Sequence, residues 1–238
     1  MPQRPDPIAH LTGRLSGGPR PSGIALPGGL GKFTPDGAVQ PFPGNTFLCH
    51  IDPATEQWNA LREVMEQIKM SPFARFFTFL PSSSLHMTIF QGVTSANPMP
   101  EGLPKGATRA EASALMLDRC ADLALPARHR VKVQDLFAAH SFTMIGADPD
   151  QEASLRGVRQ ALRRATGIAP PDFDDYVFHV SLAYLIDWLS ESAAREVVAF
   201  STELNTRLVS QIAPIDLGPV EFCHFETMHH FTPIRKFA

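Results

Sequence analysis

Two short stretches with the same pattern decide the fold of this chain: Leu85-His86-Met87-Thr88-Ile89 and Phe178-His179-Val180-Ser181-Leu182. Each stretch places a histidine and a hydroxyl residue two positions apart, between apolar residues. On a β-strand, residues i and i+2 project from the same face, about 6.6 Å apart. Each stretch therefore predicts a strand with an imidazole and a hydroxyl on one face and hydrophobic side chains on the other face, in the core.

The chain around the two stretches follows one plan twice. In the first half, a strand at 46–51 leads to Asp52-Pro53, an amphipathic helix to about Lys69, and a strand at 85–93. In the second half, a strand at 141–145 leads to Asp148-Pro149 and a helix, and then to a strand at 176–185. Asp-Pro is typical of a helix N-cap followed by the first helical position, and Gly167 is placed to end the second helix.

An internal repeat of this length predicts two repeated structural units. The sequence therefore indicates an α+β fold of two pseudo-symmetric lobes. Each lobe would be an antiparallel-rich sheet with helices on its outer face, and the active cleft would lie between the lobes.

The Pro- and Gly-rich residues 1–43 predict an irregular arm without a helix or a central strand, which wraps the body or is partly mobile. Residues 44–238 are expected to form a single bilobal domain with halves at about 44–125 and 126–238, which can exchange strands. The remaining expectations are strands at 76–80, 131–136 and 220–226, a loop at 94–108, and helices at 109–123 and from a Ser190 cap to about 210.

The composition narrows the function classes. The net charge of −3 gives no basic field for long nucleic acid, although a small anionic ligand in a local pocket is compatible with it. The three isolated cysteines favour a reducing compartment. The N-terminus does not resemble a signal peptide, and no apolar stretch reaches the roughly 20 residues that a membrane helix requires. We expect a cytoplasmic protein without a membrane partner, and the oligomeric state stays open.

Two imidazoles and two hydroxyls that face one cleft suit the chemistry of a phosphodiester. One neutral histidine takes the proton of the attacking water or hydroxyl, and the other, protonated, gives a proton to the leaving oxygen. Imidazole has an ordinary pKa of about 6.5, so both forms exist near neutral pH. The hydroxyls of Thr88 and Ser181 can donate to the non-bridging phosphoryl oxygens. This chemistry requires no metal and no cofactor, and either histidine can be the base.

The two motifs resemble those of the 2H phosphoesterase superfamily, whose members carry two His-x-Thr/Ser motifs on a duplicated fold. That family includes 2′-5′ RNA ligase-like proteins and cyclic nucleotide phosphodiesterases. The resemblance covers roughly residues 45–226. It implies that His86 and His179 are the catalytic pair and that Thr88 and Ser181 bind phosphate. It also implies metal-free action on the 2′,3′-cyclic or 2′-5′ phosphodiester of a small nucleotide or an RNA end.

Within that superfamily, the stretch Phe42-Pro43-Gly44-Asn45-Thr46 is similar to one in a bacterial group of unknown function. The chain departs from the general pattern in its long N-terminal arm. It also lacks a basic run beside the motifs.

Three further residues are possible substrate contacts. Tyr184 lies three residues after Ser181, so it faces away from the cleft unless the strand bends. His50 ends the first strand and lines either the cleft or the surface, and Arg75 either reaches a phosphate or is solvated. Other residues have structural interpretations: the Arg156, Arg159, Arg163 and Arg164 series as the wet face of a helix, Asp172, Asp174 and Asp175 as a solvated turn, and Phe47, Phe76, Phe90 and Phe137 mostly as core.

Two alternative functions remain open at this point. One is a histidine-coordinated metalloenzyme that uses, for example, His86, His140, His179 and His224. A related possibility is a metal site at the C-terminal histidines 224, 229 and 230. The other alternative is a non-catalytic protein that binds a nucleotide or phosphate without turnover.

Overall fold

The computed structural model describes residues 2–95 and 99–237, which form a mixed α+β structure. The predicted loop at 94–108 includes residues 96–98, which lie outside the described residues. The helices are α1 (Pro7–Leu11), α2 (Glu56–Lys69), α3 (Arg109–Arg119), α4 (Pro149–Thr166) and α5 (Glu191–Arg207). The strands are β1 (Gly44–His50), β2 (Phe77–Phe79), β3 (His86–Gln91), β4 (His129–Phe137), β5 (Ser141–Gly146), β6 (His179–Ser181), β7 (Ala183–Leu185), β8 (Ile215–Leu217), β9 (Val220–Thr227) and β10 (His230–Phe237).

Two four-stranded antiparallel sheets carry the motif strands. Their strand orders are β10-β9-β1-β3 and β6-β5-β4-β8, so β3 and β6 are both edge strands. In each sheet the motif strand pairs with the strand that leads into a helix, β1 in the first sheet and β5 in the second. The edges β3 and β6 lie against each other, and a short ribbon of β2 and β7 joins the two halves of the chain. This topology brings the two motifs to one place.

The alternation of side chains in the motif strands is as predicted. Met87 and Ile89 in β3 are fully buried, as are Val180 and Leu182 in and after β6. The histidine and hydroxyl residues between them are only half-buried. Burial of one face of each strand therefore fixes the opposite face toward the cleft.

The two Asp-Pro pairs have different structures. Asp148 caps α4 through a hydrogen bond from Gln151 N, and Gly167 ends that helix with a φ of 70°, as predicted. The prediction for Asp52-Pro53 is wrong, because α2 begins at Glu56 and its N-cap is Thr55, whose hydroxyl accepts from Trp58 N. Asp52 instead accepts a hydrogen bond from Ala54 N in the preceding turn.

The strand predicted at 176–185 is interrupted at Leu182. The backbone N–H groups of Leu182 and Ala183 both donate to His140 O, so the chain bends there. After the bend, β7 leaves the second sheet and pairs with β2. The sequence did not predict β8 or β10, and β10 contains Pro233 and two register irregularities at the edge of its sheet.

The N-terminal arm wraps the body, and it contains a helix that the sequence did not predict. Asp6 caps α1, whose proline stands at the first helical position, where it is tolerated. Leu11 is buried in the main core, and Phe33 is buried in a second apolar cluster with Phe225 and Phe231. No helix among residues 2–95 and 99–237 combines the length and hydropathy needed to cross a membrane.

The predicted wet face of α4 is wrong at Arg159, which is only 1% exposed. Its guanidinium stacks 4.0 Å from the centre of the Tyr176 ring and donates to Ile89 O and Phe173 O. Burial lowers the pKa of Arg159 to about 10, so the side chain is still charged at neutral pH. Arg159 therefore ties α4 to β3 across the boundary between the two halves.

Candidate active site

The four motif side chains line one cavity. A space of about 630 Å³ between the edges of the two sheets is lined by His86, Thr88, His179 and Ser181. This volume is in the range of small-molecule sites. The edge positions of β3 and β6 explain the convergence, because each is the last strand of its sheet and the two strands contact each other.

Both histidines are held in the same way. His86 Nδ1 lies 2.6 Å from Ser84 O, and His179 Nδ1 lies 2.9 Å from Val177 O, two residues earlier in each case. A carbonyl oxygen only accepts hydrogen bonds, so Nδ1 of each ring must carry the hydrogen. In the neutral ring, Nε2 is then the acceptor. Each motif thus provides an imidazole with a fixed tautomer and a basic Nε2.

The cavity lowers the pKa of both motif histidines to about 4, chiefly because burial penalises the charged ring. Electrostatic interactions with His50, His179 and Lys32 lower the pKa of His86 further, and those with Arg4 and Lys32 lower that of His179. The hydrogen bonds to Ser84 O and Val177 O act in the opposite direction but are the weaker effect. Without a bound anion, both rings are neutral at pH 7.

The walls of the cavity differ in polarity. Tyr176 is buried beside His179, with ring centroids 5.9 Å apart, and its hydroxyl donates to Thr88 O at 3.3 Å. Near this polar wall, Gln91 Nε2 donates to both carboxylate oxygens of Asp172. The remaining wall is apolar and contains Phe42, Leu80, Phe225, Met228 and Phe231.

Tyr184 lines the cavity because the chain bends at Leu182. The sequence predicted that Tyr184 would face the cleft only if the strand bends, and the strand does bend. Its hydroxyl accepts a hydrogen bond from Lys32 Nζ at 3.1 Å, and Lys32 also lines the cavity. Sequence reasoning missed Lys32 because it lies in the Pro- and Gly-rich arm. No local pattern signals that the arm folds back onto the second half of the chain.

The other two predicted contacts lie outside this cavity. His50 is adjacent to His86, with ring centroids 6.3 Å apart, but its Nδ1 is 2.5 Å from a carboxylate oxygen of Glu221. Arg75 is exposed in a 3₁₀ turn at Pro72–Phe76 and stacks on the ring of Phe76. Neither residue lines the space between the motifs.

The four histidines proposed for a metalloenzyme form no group with the spacing of metal ligands within the described part of the chain, although His86 and His179 line one cavity. Among the described residues, the one group with the spacing of metal ligands is His50, Glu221 and Cys223. In that group the carboxylate of Glu221 is already shared between His50 and Lys236 Nζ, which lies 2.9 Å away. The spacing therefore reflects an ion-pair network behind His86. The C-terminal histidines 224, 229 and 230 form no such group within residues 99–237.

Comparison with known proteins agrees with the geometry. The family model 2H-phosphodiest, described as a domain of unknown function (DUF1868), matches residues 32–141, which contain the first motif. A solved structure of a conserved protein of unknown function from Agrobacterium tumefaciens is similar over 99% of this chain and 100% of that chain, with 26% identity and a TM-score of 0.86. No curated protein matches the chain. Residues 32–141, a little under half of the chain, are thus similar to a 2H phosphoesterase domain family of unknown function.

Proposed function

We propose that this protein is a phosphodiesterase that uses His86 and His179 as a metal-independent acid–base pair. Its substrate would be the 2′,3′-cyclic or 2′-5′ phosphodiester of a small nucleotide or an RNA end. The observation that carries the proposal is the matched pair of imidazoles. Each ring is fixed by a carbonyl two residues earlier, and both rings line one cavity with a hydroxyl beside each.

In the proposed reaction, Nε2 of one histidine removes a proton from water as the water oxygen attacks phosphorus. The bond from phosphorus to the leaving ribose oxygen breaks, and that oxygen takes a proton from Nε2 of the other histidine. Thr88 and Ser181 donate hydrogen bonds to the non-bridging oxygens, where negative charge is held during the displacement. The product is a phosphomonoester, and solvent resets the two protonation states.

The acidic proton would be taken up when substrate binds. Both histidines have a pKa of about 4 in the empty cavity, so neither ring carries the required proton at pH 7. A bound phosphodiester places a negative charge beside the rings, which favours the protonated form of one of them. The positive charge of Lys32, which donates to Tyr184, would help to hold the same anion.

The remaining surfaces of the cavity suit a nucleoside. Aromatic and apolar side chains such as Phe225 and Phe231 offer a face for a base or a sugar. On the other side, the Gln91–Asp172 pair presents an amide and a carboxylate that can bond to polar edges of a base. We also propose that the protein is cytoplasmic and that its two lobes are related by an approximate twofold axis.

The test is hydrolysis of 2′,3′-cyclic mononucleotides, 2′-5′-linked dinucleotides and ADP-ribose cyclic phosphates in the presence of EDTA. We expect the wild type to cleave at least one of them. We expect His86→Ala and His179→Ala each to lose about 10²-fold or more in rate, as is typical when a proton transfer is removed. Full activity in either variant would refute the mechanism. Arg75→Ala is the matched control and should retain activity, because that side chain lies outside the cavity.

One observation favours a second candidate, a protein that binds a nucleotide or phosphate without turnover. With both pKa values near 4, the empty cavity at neutral pH presents two bases and no acid. Binding of a nucleoside monophosphate without cleavage of any of the diesters, at pH 5 as well as at pH 7, would support this candidate over the enzyme.

A further inference from the structure

A second cavity lies on the far side of His179. It has a volume of about 310 Å³ and shares His179, Ser181, Lys32 and Tyr184 with the cavity between the motifs. The two spaces therefore meet at the second motif. The part that is unique to the second cavity comes from the N-terminal arm and from the second half of the chain. Its polar and aromatic lining includes Arg4 and His10 of the arm and His140, Ser141 and Trp188 of the body.

Within residues 2–95 and 99–237, the cations of this cavity have no anionic partner within ion-pairing distance. Arg4 donates from Nε to Thr143 Oγ1 and from Nη2 to Ser141 Oγ, both at 3.2 Å, and both acceptors are neutral. Among the described residues, no carboxylate lies within 4.0 Å of the Arg4 guanidinium or of Lys32 Nζ. Burial lowers the pKa of Arg4, and Asp135 is near enough to oppose that shift but does not pair with the guanidinium.

The donor inventory of Arg4 leaves room for a ligand. A guanidinium has five N–H groups, and the two bonds to the hydroxyls use one on Nε and one on Nη2. The remaining groups keep the planar geometry that matches two oxygens of a phosphate. The bonds to Thr143 and Ser141 also hold the guanidinium in place against β5, so little side-chain freedom would be lost on binding.

A pair of imidazoles lies beside Arg4. His10 Nε2 and His140 Nε2 are 3.1 Å apart, and the two rings are stacked. Burial is the main cause that lowers the pKa of both rings, and the positive charge of Arg4 lowers both further. A bound anion would reverse the second effect, because it favours the protonated rings. Asp135 is thus the negative charge that acts on Arg4 without pairing with it, and the two neighbouring rings can take up protons when an anion binds.

We propose that the second cavity is a phosphate subsite with Arg4 as its principal ligand. The substrate class would then be a nucleotide that carries a terminal phosphomonoester in addition to the phosphodiester at the histidines. This inference rests on the proposed function, because the phosphodiester must occupy the cavity between the motifs. The N-terminal arm would be a substrate-binding element, since it supplies both Arg4 and Lys32.

Binding of two matched product analogues tests the subsite. Adenosine 2′-monophosphate and adenosine 2′,5′-bisphosphate differ only in the second phosphate, and calorimetry measures both affinities in the full-length protein. We expect the bisphosphate to bind wild type at least about tenfold more tightly, the size of a charge-assisted hydrogen-bonded contact. Arg4→Gln should reduce that advantage to less than about threefold. Arg4→Lys should keep part of it, because the charge remains without the planar donor geometry.

Arg14→Gln is the matched control, because Arg14 is another arm arginine that lines neither cavity and whose Nε bonds to Thr12 Oγ1. It should retain the full advantage of the bisphosphate. Equal binding of the two ligands by wild type, no measurable binding of the bisphosphate, or an unchanged advantage in Arg4→Gln would overturn the subsite. Binding is measured without turnover, so failure to cleave any diester would refute only the proposed reaction.

Discussion

Each motif histidine donates its Nδ1 hydrogen to the carbonyl oxygen two residues earlier, so a strand of ordinary geometry also sets the tautomer of its own imidazole. The sequence pattern predicted that His86 and Thr88 share a face, since alternation is a local property of a strand. It did not predict the burial that lowers both histidine pKa values to about 4, because burial depends on tertiary contacts such as that of His86 with Phe231, far away in the chain.

The lowered pKa values predict how the rate depends on pH. For the free protein, kcat/KM should rise as the pH falls from 8 toward about 5, because only one of the two rings must carry a proton and both titrate near pH 4. Below both pKa values the base is also protonated, so the rate should fall again. Steady-state kinetics in buffers of constant ionic strength from about pH 3 to pH 9 would measure both the rise and the fall. A plateau from pH 6 to 9 would contradict it.

At Arg159, the helical spacing was a better guide to burial than the charge of the side chain. The residue stands at helical spacing with Leu155, Val158 and Leu162, all of which are buried in α4. That spacing alone predicts burial, but a positive charge argued for solvent. In the structure, aromatic rings and two carbonyl acceptors surround the guanidinium, so the positive charge is accommodated in the interior. These partners come from other elements and were not visible from the helix sequence.

At the scale of elements, two identical dipeptides have different roles. Asp148-Pro149 starts α4, whereas Asp52-Pro53 forms a turn and leaves the cap of α2 to Thr55. Both sequences satisfy the rule for a helix start, but Thr55, three residues after Asp52, offers a competing cap. The helices themselves were predicted from their apolar spacing. The first residue of α2 could not be predicted in the same way, because it depends on which of two nearby cap residues is used.

This difference is measurable as stability. Asp148→Ala should lower the free energy of unfolding by about 1 kcal/mol, the usual loss when an N-cap hydrogen bond is removed. Thr55→Ala should cost a similar amount. Asp52→Ala, the matched control, should cost less than about 0.5 kcal/mol, because its side chain bonds only to an exposed turn. Denaturant unfolding of the three variants provides the comparison, and an equal loss for Asp52→Ala and Asp148→Ala would contradict the assignment of the caps.

At the scale of the whole molecule, buried histidines couple stability to pH. The pKa is lowered, mainly by burial, for His10, His86, His129, His140, His179 and His224. In the unfolded chain these rings take up protons below about pH 6.5, whereas the folded protein keeps them neutral to lower pH. The unfolded state therefore binds more protons in that range, and stability is present above pH 6.5 and is lost as the pH falls.

The thermal unfolding midpoint should consequently drop by at least about 5 °C between pH 7.5 and pH 5.0. His129→Leu is an informative variant, because His129 is only 1% exposed and neither of its ring nitrogens has a hydrogen-bond partner among the described residues. Removing this ring should make the drop smaller. A midpoint that does not change with pH in the wild type would contradict the account.

The repeat and the meeting of its two motifs were visible in the sequence, but the contribution of the arm was not. A Pro- and Gly-rich segment has no periodicity from which a docking position follows. Its position depends on single contacts such as Gly13, where a Cβ atom would lie 2.6 Å from the Trp188 ring, and Thr78 Oγ1, which donates to Gly37 O. Such contacts depend on the shape of the folded body, so the sequence of the arm alone does not predict them.

The arm also sets an order of events during synthesis. Arg4 bonds to Ser141 and Thr143, and Lys32 bonds to Tyr184, so the partners of the first residues made are separated from them by well over half of the chain. Loops of this length close late, after the local pairings have formed. On the ribosome, Arg4 can make these bonds only after β5 has emerged, and Lys32 can make its bond only after Tyr184 has emerged. We therefore expect the newborn protein to complete its binding surface late in folding.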